Sequence, residues 1–323
     1  MAFEGVPRTL ITGAGGFVGR HLVAKLEDAL PQGSELILID AKSNPHADKA
    51  GVRVRAVDIT DAERVEDLIK AEKPTHLIHL AAIAAVTAAS SDVRQAWAVN
   101  FGGTQNLALS VAKFAPDCRF IFCSSAEVYG ASFSENGRLD ETGLLQPVNA
   151  YGAAKAAADI MIGQMSRHDL KAICLRPFNH TGPGQNVQFV VPAFAAQIAR
   201  IERGEQRPLI EVGDLRNARD FLDVRDVVDA YTSALMNFDL LPSGCVMNIA
   251  SGEPRVVRTV LDSLLAMSDV AIEVVVDPAR LRPLDTPMIA GDAALARRLL
   301  QWQPTRDWKE TLRSVLDFWR AQR

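Results

Sequence analysis

The chain predicts a doubly wound α/β fold, a parallel sheet joined to a smaller mixed α/β lobe. Three observations carry this. Short runs rich in Ile, Leu and Val alternate with longer amphipathic stretches from the start. Those short runs mostly do not alternate apolar with polar, which suits strands covered on both faces. After Arg176 the rhythm breaks into a mixture of helices and short strands.

The elements follow in order. "RTLITG" (8–13), "ELILID" (35–40), "VRVRAVD" (52–58), "THLIHLAA" (75–82), "RFIFCSS" (119–125) and "KAICLRP" (171–177) read as strands. "GFVGRHLVAKLEDAL" opens the first helix at Gly16, and "DAERVEDLIKAE" opens the second with Asp61 as its cap. "SSDVRQAWAVNFGGTQNLALSVAKF" (90–114) reads as one long helix, and "YGAAKAAADIMIGQM" as another. "RPFNHTGPGQN" (176–186) reads as an ordered loop, dense in Pro, Gly, Asn and His. Beyond it lie the helices "PAFAAQIARIERG", "RDVVDAYTSALMNF" and "VVRTVLDSLLAMS". The strands "LIEVGD", "CVMNIAS" and "IEVVVD" fall among them, and "WKETLRSVLDFWRAQR" is the final helix. The expected lobes are intertwined. One takes 1–178 plus about 220–250, and the other about 179–219 and 251–323.

The 323 residues suffice for a large core, and the net charge of −4 is spread over interspersed acids and bases. Nothing marks a nucleic-acid or membrane surface. No apolar run approaches the ~20 residues of a membrane helix, and the N-terminus lacks the layout of a secretory signal. Cys118, Cys123, Cys174 and Cys245 are scattered, without metal-like or redox spacing. They read as buried thiols in a reducing cytoplasm.

The stretch "LITGAGGFVGRHL" follows the first strand and opens the first helix. Its glycines at 13, 16 and 19 give G-x-x-G-x-x-G; Val18 stands where the strict dinucleotide pattern needs glycine. The physical need is the same: a tight turn, and a helix N-terminus aimed at a pyrophosphate beside Phe17 and Val18. Gly19 would let the helix pack closely on the sheet. Asp40 ends the second strand, about 20 residues on, where an acid binds the adenosine ribose hydroxyls. A carboxylate there repels a 2′-phosphate and favours NAD over NADP. Lys42 is near enough to soften that preference. Asp58 and Ile59 end the third strand, where an adenine would lie. Leu80, Ala81 and Ala82 end the fourth, beside the cofactor path.

Tyr151 and Lys155 lie one helical turn apart, on one face. Alone, such a pair is ordinary. Beside a dinucleotide cradle it becomes a candidate proton donor with a cation to lower its pKa. Ser125 and Glu127, at the end of the fifth strand, complete the candidate catalytic set. His180 reads as loop structure rather than as a base.

On "TGAGGFVG", Asp58-Ile59, "HLAA", Asn100, "SSAEVYG", "YGAAK" and "RPFNHTGPG", the chain resembles the extended short-chain dehydrogenase/reductases that act on nucleotide sugars. The resemblance spans essentially the whole length. It implies a Rossmann sheet and a homodimer paired through the long fourth helix and the tyrosine helix. It assigns catalysis to Ser125, Tyr151 and Lys155, with Lys155 also touching the nicotinamide ribose. Asn100 would be a structural or relay residue.

"RPFNHTGPGQNVQFVVPAFAAQIARIERG", "VGDLRNARDFLDVRDVV" and "LRPLDTP" resemble the branch handling GDP-6-deoxyhexoses. That resemblance implies reduction of the 4-keto group of GDP-4-keto-6-deoxy-D-mannose to GDP-D-rhamnose or its epimer, with NAD or alternatively NADP. The alternatives are a 4,6-dehydratase acting on GDP-mannose and another nucleotide-sugar epimerase or dehydratase. Arg219 and Arg282 would hold the substrate pyrophosphate. Asn179 would contact the substrate near it, Val191 and Pro192 would begin the base pocket, and Asp285 would reach the nucleotide ribose. Dehydratases of this kind carry Thr, then Asp or Ser, then Glu, where this chain has Ser125, Ala126 and Glu127. Ala126 offers nothing to protonate a leaving hydroxyl, which favours reduction.

Overall fold

The computed structural model describes residues 6–41, 46–133, 137–280 and 286–322. The larger sheet has seven strands, all parallel, in the order β11-β7-β5-β4-β1-β2-β3. These are β1 (Arg8–Thr12), β2 (Glu35–Asp40), β3 (Val52–Ala56), β4 (His76–His79), β5 (Arg119–Cys123), β7 (Ala172–Pro177) and β11 (Val246–Ile249). The expected absence of polar alternation holds. Ile37, Leu38 and Ile39 are consecutive and all wholly buried, each contributing about 2 kcal/mol of transfer free energy.

Helices cover both faces. α1 (Phe17–Ala29) packs with α8 (Val224–Met236) on one face. α2 (Ala62–Glu72), α5 (Thr104–Phe114) and α6 (Ala150–Met165) cover the other. Asp61 caps α2 as expected, its side chain accepting from Arg64 N. The small-residue face of α6 packs inward, burying Ala154, Ala156, Ala158 and Ile162 within the chain's own core.

A second sheet runs β12-β10-β14-β6, with β8 (Asn179–Thr181) pairing β10 (Ala218–Asp223). Its other strands are β6 (Arg138–Leu139), β12 (Pro254–Val256) and β14 (Met288–Gly291). β9 (Leu209–Val212) and β13 (Glu273–Val276) form a separate parallel pair. α7 (Val190–Glu202), α9 (Val257–Leu265) and α11 (Trp308–Ala321) enclose an apolar cluster of Phe194, Ile198, Ile210, Val260, Leu312 and Leu316.

Two expectations change. Residues 90–114 are not one helix. Helix begins earlier, as α3 (Val86–Ser91), and breaks at Asp92, whose backbone leaves helical space at φ −138°. Asp92 then caps α4 (Val93–Trp97) by accepting from Gln95 N at 3.0 Å. Ala98–Gly103 widens into a π-helical stretch before α5 resumes; such stretches often mark functional sites. The stretch 176–186, expected as a loop, contributes the end of β7 and all of β8. α10 (Ala294–Leu300) packs against β11 and α8.

Candidate active site

The carboxyl ends of β1–β4 build the cofactor cradle. Gly13 turns the chain at φ +70°, where a side chain would be strained. A Cβ there would also lie 2.8 Å from Ala81 N. Its own N–H donates to Ile39 O at 2.8 Å, locking the turn to β2. A Cβ on Gly19 would come within 2.3 Å of Gly13 O, so α1 and the turn are in backbone contact. Gly16 heads α1 without a side-chain cap, and no acid occupies the first turn. The N–H groups of Phe17, Val18 and Gly19 are thus left for an anion, and these residues fit a dinucleotide pyrophosphate.

Asp40 ends β2 as expected, and it does more than the sequence indicated. Its Oδ2 accepts from Gly15 N at 2.9 Å and its Oδ1 from Ala41 N at 3.2 Å, so it also fastens the glycine turn. Lys42 lies outside the described residues. Asp58 and Ile59 sit just past β3, which ends two residues early at Ala56. Asp58 Oδ1 accepts from both Thr60 N and Thr60 Oγ1, while Ile59 is buried. Leu80, Ala81 and Ala82 follow β4; Leu80 N donates to Thr12 O, and Ala81 N to Thr12 Oγ1, each at 3.2 Å. The cradle residues named from the sequence thus lie at or just past the carboxyl ends of β1–β4, and strand order reverses between β1 and β4.

The catalytic candidates lie beside it. β5 ends at Cys123, and Ser125 starts a short turn in which its Oγ accepts from Glu127 N at 3.1 Å. The Ser125 hydroxyl lies beside the Tyr151 phenol and favours its ionised form. Asn149, which the sequence reading passed over, caps α6 by accepting from Gly152 N at 2.8 Å. Its Nδ2 donates to Glu127 Oε2 at 2.8 Å, so one side chain sets the helix carrying Tyr151 and aims Glu127. An asparagine just before a helical run was the available signal. Ala126 is buried and apolar.

Lys155 makes its direct contacts away from the Tyr151 hydroxyl. It lies on the same face of α6, but its Nζ donates to Cys123 O at 2.7 Å and rests 4.8 Å from the Phe122 ring centre. Burial dominates both groups. It pushes the Tyr151 phenol up to about 12, partly offset by the Ser125 hydroxyl. It pulls the Lys155 ammonium down to about 8. At neutral pH the pair is a protonated phenol behind a largely charged lysine. Asn100, in the π-helical stretch, is wholly buried. It clamps Ile83 from both sides, accepting from its N and donating to its O.

The substrate candidates are less gathered. Asn179 is exposed at the start of β8. Arg219 lies on β10, and its Nη1 donates to Ala218 O and Thr286 O, each at 2.8 Å. The Val191 side chain is buried in the apolar cluster of α7, α9 and α11. Pro192 is buried as well. The opposite helix face, with Ala193, Ala196, Gln197 and Arg200, lines a cleft of about 350 Å³ together with Arg207, Glu211 and Arg280. Arg282 and Asp285 lie outside the described residues. His180 is structural, as expected. Its Nδ1 donates to Phe178 O, its ring lies parallel to Phe17, and burial lowers its pKa.

A parallel sheet with a glycine cradle at its switch point, flanked by a buried Ser–Tyr–Lys set, defines an oxidoreductase-type dinucleotide enzyme of the extended short-chain class. The chain belongs to the NAD dependent epimerase/dehydratase family, whose pattern matches residues 9–250. It is 33% identical over 316 residues to the GDP-6-deoxy-D-mannose reductase of Pseudomonas aeruginosa, covering 98% of each. The solved structure of RMD from Pseudomonas aeruginosa complexed with NADPH superposes with a TM-score of 0.83 at 31% identity, over 98% of this chain and 99% of that one. The UDP-glucose 4-epimerase of Thermus thermophilus, in complex with NAD, does so at 0.84 and 29% identity, over 97% and 99%. Among the described residues no helix is long and apolar enough to cross a membrane.

Proposed function

We propose that this enzyme reduces the 4-keto group of GDP-4-keto-6-deoxy-D-mannose, giving GDP-D-rhamnose or its epimer, with NADH or NADPH. The observation that carries the reading is the turn at 125–127. Ala126, buried and apolar, stands where a dehydratase needs a group to protonate the departing hydroxyl. The similarity to a GDP-6-deoxy-D-mannose reductase supports it.

Bound at the cradle, a reduced nicotinamide supplies the hydride. Gly13, Gly16, Phe17, Val18 and Gly19 hold its pyrophosphate, and Asp40 its adenosine ribose. Ser125 orients the keto oxygen towards Tyr151, which yields its proton as negative charge grows there. The Lys155 ammonium lies one turn away to stabilise the phenolate left behind. Asn179, Arg219 and Arg282 hold the sugar nucleotide, with Asp285 at its ribose. Asp40 favours NADH, the opposite of the cofactor in the Pseudomonas aeruginosa structure. The cofactor lobe is then 1–178 with about 220–250, and the substrate lobe about 179–219 with 251–323. The setting is cytoplasmic and the assembly a homodimer.

The test uses purified protein and two incubations. With GDP-4-keto-6-deoxymannose and NADH, a GDP-deoxyhexose and oxidised cofactor form, and NADH outperforms NADPH in kcat/KM. With GDP-mannose and no reductant, nothing forms. A 4-keto product from the second incubation overturns the reading in favour of a dehydratase.

A further inference from the structure

Behind the catalytic set lies a buried polar cluster that no step above uses. Asp159 follows Lys155 by four residues, one turn further along α6. It and Arg176 on β7 are 4% and 5% exposed. They pair at two points, Arg176 Nη2 with Oδ1 at 2.8 Å and Nε with Oδ2 at 2.9 Å. Asp159 Oδ2 also accepts from Ser124 Oγ at 2.6 Å and Cys174 Sγ at 3.1 Å. Arg176 Nη1 continues to Tyr129 Oη at 3.0 Å, and Tyr129 Oη donates to Asn248 Oδ1 at 2.7 Å.

A buried ion pair is weak evidence for stability, because both charges lose their water. Its position is more informative. Ser124 stands between Cys123, whose carbonyl takes Lys155 Nζ, and Ser125, whose side chain lies beside the Tyr151 phenol. One hydroxyl therefore anchors the strand end from which both catalytic side chains are held. The anchor is itself tied to α6, β7 and β11.

We propose that Ser124, gripped by the Asp159–Arg176 pair, is a positioning residue that fixes Lys155 and Tyr151 relative to each other for proton transfer. The proposal takes the reaction from the function proposed above, but its geometry does not depend on it. The titratable groups that face Lys155 are Cys123 on β5, Cys174 on β7, His79 on β4 and Asp159 on its own helix. Tyr231 of α8 stands behind Cys123. His79 is held neutral by burial, and burial raises both thiols. Asp159 is thus the only one of these charged at neutral pH, and its charge is already met by Arg176. Loosening the Ser124 anchor admits water to Nζ and raises the lysine's titration midpoint.

Ser124→Ala and Ser124→Thr test this in the full chain, with folding checked by a cooperative thermal melt. The Lys155 midpoint is read by NMR on protein carrying ¹³C at lysine Cε, the resonance being assigned by its loss in Lys155→Met. In Ser124→Ala the midpoint rises by at least half a pH unit from about 8. The kcat for ketosugar reduction falls by at least tenfold, with KM within twofold. Ser124→Thr, which keeps the hydroxyl, restores both. Should the alanine chain not fold, Ser124→Cys, close in volume but a poor donor, is measured in its place and shows the same two changes. An unmoved midpoint in a folded variant overturns the proposal, as does an unchanged kcat in a chain that reduces the ketosugar. A midpoint that moves while even the wild type reduces no ketosugar supports the positioning role and refutes the substrate assignment.

Discussion

At the scale of single residues, the chemistry depends on a phenol that burial keeps protonated. Tyr151→Phe removes the proton donor and leaves the ring, so kcat for ketosugar reduction should fall by about 10²–10⁴-fold with cofactor binding intact; activity near wild type would exclude Tyr151 as the acid. Lys155 sets the alkaline limit. Its ammonium titrates at about 8 and the phenol at about 12. As pH rises, the charge on Lys155 is lost first, so kcat/KM should decline around pH 8 while Tyr151 still holds its proton. A pH profile flat to pH 10 would contradict this order. That Tyr151 and Lys155 share one helix face was legible in the sequence, because their spacing is local. The direction of Nζ was not, because the competing acceptor, Cys123 O, is 32 residues away. Asp40 illustrates the same limit. Its place at the strand end could be counted, but its bond to Gly15 N needs the turn to be folded.

At the scale of elements, strand-to-helix junctions do most of the positioning. The glycine turn works because α1 meets it with no side chain between. Gly19→Ala would push a methyl to 2.3 Å from Gly13 O. Relief requires moving α1 by enough to cost about 1–3 kcal/mol, read as a lowered Tm. Because that helix end is proposed to hold the cofactor, affinity for NADH should drop by ~10-fold or more in a fluorescence titration; unchanged affinity would show that the close approach does not shape the cofactor site. The strands of the large sheet were readable because burial on both faces leaves continuous apolar runs. The break in 90–114 was not, since "SSDVRQAWAVNFGG" keeps a helical rhythm and lacks proline. What ends helix there is Asp92 serving as a cap, and what widens it is tertiary: Asn100 reaches out to both backbone atoms of Ile83. β8 escaped notice for a related reason. Three residues inside a Pro- and Gly-rich stretch become a strand only because β10 lies alongside.

At the scale of the whole molecule, the outer faces of α4, α5 and α6 expose Val93, Trp97, Leu109 and Ile160, the last at 62%. These are the helices through which the proposed homodimer would pair. Ile160→Arg should therefore yield a folded monomer by light scattering where the parent is a dimer; a parent that is itself monomeric would end that proposal. Acid stability belongs to this scale too. His76 is buried, and desolvation, reinforced by Arg119, lowers its pKa from 6.5 to about 4; burial lowers His79 as well. The unfolded chain thus binds protons that the folded one refuses, so stability is complete above pH 6.5 and lost as pH falls towards 4. For His76 alone this is about 3 kcal/mol. Urea melts across that interval should show the decline, and His76→Leu should flatten it. That the chain leaves the regular strand–helix alternation after Arg176 was legible in the sequence; the second sheet it then builds was not. The second sheet also draws in β6, a strand too short to read and distant from its partners. That pairing has a bearing on biosynthesis. Arg138 faces Ala290 across the β6–β14 ladder, so a segment leaving the ribosome early waits for a partner translated about 150 residues later. The final helix, α11, then seals α7 from the far end of the chain. A polypeptide stalled near residue 280 would carry a finished seven-stranded sheet and an uncovered apolar cluster around Phe194 and Val260, presenting that surface to chaperones until residues 308–321 are made.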